Sequence, residues 1–75
     1  MVPLGLLGEG EGGEIVGVAG AAGGAVALRA EEMGLRIGRW VEMLANGAGP
    51  VLVKVDESRI ALDRGVAMKI KVRTR

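Results

Sequence analysis

Apolar and polar positions alternate from Arg39 to Leu44 and again from Val51 to Val55, in Arg39-Trp40-Val41-Glu42-Met43-Leu44 and Val51-Leu52-Val53-Lys54-Val55. A period of two turns successive side chains to opposite faces, so both runs read as strands. The intervening Asn46-Gly47-Ala48-Gly49-Pro50 reads as the loop of a hairpin. One register sets Val41 against Val55 and Met43 against Val53 on an apolar face, with Glu42 against Lys54 and Leu44 against Leu52 on the other. A one-residue slip would mix the faces, so the hydrophobic pattern selects this register and assigns Val41, Met43, Val53 and Val55 to the core.

The rest of the chain is read the same way. Gly8-Glu9-Gly10-Glu11-Gly12-Gly13 predicts a turn, and Glu14 to Val18, rich in β-branched residues, predicts a strand. Glycine and alanine interrupt regularity from Gly20 to Gly24, and Ala25 to Met33 then places Val26, Ala30 and Met33 at helical spacing, with Gly34 as the stop. Asp56-Glu57-Ser58 predicts a tight turn and Arg59 to Leu62 a further strand. Asp63 is placed to cap a single helical turn over Arg64 to Met68, before a last strand from Lys69 to Arg73. Five short strands at close intervals predict a small, mainly β barrel with one short inserted helix and a helical turn before the last strand, because closure removes sheet edges.

A chain of 75 residues has room for one domain, residues 1–75, with a thin core. With no Phe, no Tyr and one Trp, that core must be aliphatic. The start, Met1-Val2-Pro3-Leu4, lacks the basic region of a signal peptide. The longest uncharged run, Ile15 to Leu28, is broken by four glycines and falls short of the roughly 18 apolar residues of a membrane helix, so no membrane insertion is expected. The absence of cysteine, and so of disulfide staples, points to a cytoplasmic location. A formal charge of +1 supplies no bulk attraction toward nucleic acid or anionic lipid.

Most chemistry is excluded by residue type. Histidine and cysteine are absent and Ser58 and Thr74 are the only hydroxyl side chains, so no nucleophile and base can be assembled and no enzymatic activity is expected. Gly8-x-Gly10-x-x-Gly13 matches a dinucleotide fingerprint as a string, but it precedes its strand and its two glutamates would repel a pyrophosphate. The carboxylate pairs Glu31/Glu32 and Asp56/Glu57 read as solubilising charges on a helix face and a turn, and without imidazole or thiolate only weak binding of Fe²⁺ or another divalent metal, on carboxylates such as Glu31 and Glu32, remains open.

Two surface features remain. Trp40 points away from the core beside Glu42, Leu44 and Leu52; it is either a protein-binding anchor or is covered by a loop or by Pro3 to Leu7. Lys69, Lys71, Arg73 and Arg75 recur every second residue and form a basic stripe if the segment is extended, either a solubilising outer face or a phosphate contact.

Pro3-Leu4, Leu7-x-x-Gly10-Glu11-x-Gly13-x-Ile15, Arg29-x-x-x-Met33-Gly34-Leu35-x-x-Gly38, Gly49-Pro50 and Ile60-Ala61-Leu62 with Ala67 and Ile70 occur in this order along nearly the whole chain. The ordered set resembles the ferrous iron transport protein A (FeoA) family. The resemblance implies an SH3-like five-stranded barrel, a cytoplasmic and non-enzymatic accessory role in ferrous iron uptake, and a partner in the cytosolic region of the membrane ferrous-iron permease. It also implies relatedness to a module at the C-terminus of iron-dependent repressors, and transition-metal binding for which the donors are missing here. Ala30 stands where the family usually has a larger Leu, and Asn46 to Pro50 replaces a commoner Pro-Leu-Gly-Asp-Pro-like loop.

Together these readings predict docking on the permease through Trp40, Leu44 and Leu52, assisted by Arg29 and Glu32 of the helix. The alternatives are a nucleic-acid-binding barrel that uses the basic stripe and a weak metal-sensing module. Exposed strand edges would also permit homo-oligomers.

Overall fold

The computed structural model describes residues 1–18, 32 and 34–74. Its elements in chain order are β1 (Val2–Pro3), a 3-10 turn (Leu4–Leu6), β2 (Gly12–Val18), β3 (Trp40–Ala45), β4 (Val51–Val55), β5 (Ser58–Leu62), α1 (Arg64–Lys69) and β6 (Ile70–Arg73). The strands form one six-stranded sheet in the order β1-β6-β2-β3-β4-β5, antiparallel throughout. Among the described residues, no helix is long and apolar enough to cross a membrane.

The hairpin follows the hydrophobic pattern. Val41 pairs with Val55, Glu42 with Lys54 and Met43 with Val53, and Val41, Met43, Val53 and Val55 are all buried. Beyond Met43 the register shifts and Leu52 pairs with Ala45. The expected Leu44–Leu52 pair is therefore not formed: the bulge takes up Leu44, which is half-buried. A second shift between Ile15 and Gly17 lies in β2 where it meets β6. Bulges sharpen strand twist, and these two help a small sheet curve around its core.

The expected closed five-stranded barrel is not what forms. The sheet has six strands and is open, with β1 and β5 at its edges. β1 pairs with β6 through only Val2–Val72 and Pro3–Lys71 before the chain enters the 3-10 turn, so it is too short to bridge to β5. The edge hazard is met by shortness and Pro3 on β1, and by exposed Ser58 and Arg59 on β5.

The core is aliphatic, as the composition requires: Leu4, Leu7, Ile15, Leu35, Val41, Met43, Val51, Val53, Val55, Leu62, Ala67, Ile70 and Val72 are buried, and no polar side chain among the described residues joins them. Asp56 and Glu57 make a two-residue turn between the paired Val55 and Ser58, with Asp56 at φ 55°, a left-handed conformation that a short polar side chain tolerates. Asp63 stands at the N-cap of α1, yet it contributes its backbone carbonyl to the Ala67 N–H and makes no side-chain cap. α1 runs one residue further than expected, so Lys69 is helical and the last strand starts at Ile70. Gly34 has φ +92°, the conformation of a helix-ending glycine. Of the helix expected over Ala25 to Met33, Glu32 is helical and the other positions lie outside the described residues.

The hairpin loop is tied down at both ends. The Asn46 side-chain amide donates to the carbonyls of Gly5 (3.1 Å) and Leu7 (2.7 Å), while the Asn46 N–H donates to Glu9 Oε2 at 3.1 Å. The Arg64 guanidinium donates to the carbonyls of Gly47 and Gly49. A loop that looks like flexible punctuation in sequence is thereby fastened to the N-terminal segment and to α1.

Gly13 illustrates how tightly β2 sits against β6. A Cβ there would lie 2.9 Å from the Arg73 carbonyl oxygen and 3.3 Å from Val72 Cβ, so the ladder itself would have to move. Gly13→Ala is expected to destabilise the fold by about 1–3 kcal/mol, lowering Tm by at least about 4 °C. Gly65→Ala, in exposed helix with nothing within 4 Å of the added methyl, is expected to stabilise by up to about 1 kcal/mol. Thermal unfolding followed by circular dichroism distinguishes the two, and a Gly13→Ala protein that melts at or above wild type contradicts the packing described.

Candidate docking face around Trp40

Trp40 opens β3 and pairs with Glu14 of β2, and Gly12 of β2 pairs with Glu42. Because Val41 is turned inward and buried, Trp40 is turned outward, with 44% of its surface exposed. Its ring is nevertheless seated. A Cβ on Gly12 would fall 2.8 Å from the indole Nε1 and 3.0 Å from both Cε2 and Cζ2, so this edge of the ring lies over the bare backbone of Gly12. Cover by a loop or by Pro3 to Leu7 was one of the two expectations for Trp40, and at this edge of the ring it is β2 that lies beneath the indole.

The indole is the shared wall of three shallow depressions. The first, about 460 Å³, is lined by Glu11, Gly12, Trp40 and Thr74. The second, about 550 Å³, is lined by Glu14, Gly38, Trp40, Arg73 and Thr74. The third, about 250 Å³, is lined by Trp40, Glu42, Lys54 and Asp56. Charges on this face are largely paired. The Arg73 guanidinium donates to Glu14 Oε1 at 3.2 Å, and Arg39 lies 3.7 Å from Asp56. Glu42 stands across from Lys54, which stands across from Arg59. Exposed pairs of this kind add little stability, about 0–1 kcal/mol each, but they hold charged side chains in place around the ring.

The expected site residues are only partly brought together. Trp40 is central. Leu52 is half-buried in β4 on the same outward side, one alternate position from Lys54 and paired with the exposed Ala61. Leu44 is displaced from the row by the bulge. Glu32 is exposed but is not among the residues lining the depressions, and Arg29 lies outside the described residues. Glu11, Gly12, Glu14, Arg73 and Thr74 were not expected here. They reach Trp40 through the pairing of β2 with β3 and β6, distant in sequence, and the one local signal was the Gly12-Gly13 pair, which sequence reading took for part of a turn.

The basic stripe does not form. Lys69 ends α1, Arg73 is paired with Glu14, and Arg75 lies outside the described residues, so the alternation needed to align four cations on one strand is lost. The donors present also do not suit a tightly held transition metal. The chain has no His or Cys, no group of three or more carboxylates converges among the described residues, and Asp56 is engaged with Arg39. Glu31, half of one expected carboxylate pair, lies outside the described residues.

Residues 2–74 match the FeoA domain family. The chain belongs to the FeoA family. It is 39% identical over 72 residues, covering 96% of this chain and 85% of the relative, to a candidate Fe(2+) transport protein A of Methanocaldococcus jannaschii. A crystal structure of an iron uptake regulatory protein (FeoA) superposes with a TM-score of 0.88 at 30% identity, covering 99% of this chain and 96% of that one. A zinc complex of Stenotrophomonas maltophilia FeoA superposes with a TM-score of 0.84 at 30% identity over 97% of this chain and 91% of that one. It is described as a unique prokaryotic SH3 domain protein and a candidate ferrous iron transport activating factor. FeoA membership carries a non-enzymatic, accessory role in ferrous iron transport.

The seat of Trp40 can be tested with the protein's own fluorescence, since Trp40 is its one aromatic residue. Gly12→Ala is expected to lift the indole edge into water, shift its emission to longer wavelength and cost about 1 kcal/mol in urea unfolding. Gly47→Ala, with nothing within 4 Å of its added methyl, serves as the control. An emission spectrum unchanged by Gly12→Ala contradicts the seating.

Proposed function

We propose that this FeoA-family chain acts by docking on the cytosolic region of the membrane ferrous-iron permease through the outer face of its sheet, with Trp40 as anchor and Leu52 beside it. The observation that carries the reading is the half-exposed indole held in a fixed place at the meeting point of three depressions. Tryptophan is enriched among residues that dominate binding energy, and a ring already seated loses little freedom on binding. The names carried by the relatives, an iron uptake regulatory protein and a candidate transport activating factor, support an accessory role exercised through a partner. Ferrous iron enters this reading as the cargo of the permease, and no step is routed through a metal held by this chain.

Trp40→Ala is expected to weaken binding to the purified cytosolic region of the permease by about thirtyfold, the scale of a hot-spot residue. Leu52→Glu, which places a charge on the apolar part of the face, is expected to weaken it by about tenfold. Calorimetric titration measures both, with circular dichroism to verify folding. Folded variants that bind as tightly as wild type would place the docking surface elsewhere.

A further inference from the structure

β5 is an open edge of the sheet, and the tight turn before it decides which of its backbone groups are free. In a hairpin of this kind the residues flanking the turn, Val55 and Ser58, exchange hydrogen bonds, so Ile60 and Leu62 also direct their N–H and carbonyl groups toward β4. Those of Arg59 and Ala61 point out from the edge, and no hydrogen bond meets them among the described residues. α1 packs against the 3-10 turn, β1 and β6, and Ser58, Arg59, Ala61 and Asp63 are exposed. The charges along this edge are unmatched as well. On the outer face Glu42 stands opposite Lys54, and Lys54 opposite Arg59, so the row ends in two neighbouring cations, an unfavourable arrangement in itself. Asp63 follows β5 with its backbone still extended, at φ −58° and ψ 140°, and its side chain makes no cap on α1. Neither Arg59 nor Asp63 forms an ion pair among the described residues.

We infer that β5 pairs with β5 of a second copy of this chain, antiparallel about a two-fold axis at Ala61. In that register the Ala61 residues exchange N–H and carbonyl groups, and the Asp63 N–H of each copy donates to the Arg59 carbonyl of the other. Each Arg59 meets the Asp63 carboxylate across the junction, on the outer face that both share, while Ile60 and Leu62 meet on the core side. The row that begins at Glu42 then runs acid, base, base, acid, and both cations have an anion beside them. The interior of β5 offers two other two-fold centres, and charge opposes each. Centring on Arg59 sets Arg59 against itself, and centring on Ile60 sets Glu57 of one copy against Asp63 of the other. Arg59 thus guards the edge against most pairings and admits one. β1, two residues long and ending in Pro3, is too short to serve as the partner edge. The inference is independent of docking on the permease.

Sedimentation equilibrium of the full chain tests this. Wild type is expected to pass from monomer to dimer between about 10 μM and 1 mM, the weak range of a small interface. Ala61→Pro removes an N–H that no strand of the same copy uses, so the fold is kept, and it is expected to weaken the dimer by about tenfold. Arg59→Glu and Asp63→Lys each set like charges against one another across the junction and are each expected to weaken it by about tenfold. An equimolar mixture of these two variants restores both ion pairs in a heterodimer and is expected to associate about as tightly as wild type. Circular dichroism verifies the fold of each variant, and should Ala61→Pro not fold, the two charge variants carry the test. A dimer indifferent to the substitutions, or a mixture no tighter than its components, overturns the inference. So does a chain that stays monomeric to about 1 mM, which would leave this edge to a strand of another protein.

Discussion

Two adjacent side chains are missing from β2, and the close packing on both sides of that strand depends on their absence. Gly13 faces inward, where a Cβ would stand 2.9 Å from the Arg73 carbonyl oxygen, and Gly12 faces outward, where one would stand 2.8 Å from the Trp40 indole nitrogen. β2 lies between β6 and β3 in the sheet order, so the inward gap lets the last strand close over the core while the outward gap lets the indole settle on the backbone. Glycine in a strand costs conformational entropy and weakens the ladder. Here that cost is offset by two close approaches that no other residue permits.

The consequence for function is preorganisation. A tryptophan on a bare strand surface would sample several rotamers and lose that freedom on binding, whereas one resting on Gly12 and ringed by ion pairs has little left to lose. The sheet being open changes nothing at this face, which is built from β2, β3, β4 and β6 in the middle of the order and lies away from the β1 edge. The fastened hairpin loop acts in the same direction. Asn46 and Arg64 hold the end of β3 and the start of β4 to the rest of the molecule, and so steady the row that carries Leu52.

Features set by neighbours in sequence were legible in the residues. The alternation of β3 and β4, their register as far as Met43, the turn at Asp56 and the core positions Val41, Met43, Val53 and Val55 follow from a period of two and from turn chemistry. What was not legible has a common cause. The bulge at Leu44, the two-residue β1 and the failure of the sheet to close depend on how strands far apart in the chain meet, which periodicity does not encode. The extended reading of Lys69 failed for another reason: in Met68-Lys69-Ile70 the alternation of a strand and the last residue of a short helix look alike. Trp40 was read as pointing outward, and it does, but the residues that surround it arrive through the pairing of β2 with β3 and β6, and only the glycine pair hinted at their presence.

The claim most exposed to test is the contact between the indole and Gly12. In a protein with a single tryptophan the indole N–H gives one resolved proton signal, so nuclear Overhauser spectra can be read without ambiguity. The account predicts strong cross-peaks from the indole Nε1 and Cζ2 protons to the Gly12 Hα protons, with those Hα signals displaced by the ring current. Indole cross-peaks that run to other residues and leave the Gly12 Hα signals at ordinary positions would contradict it.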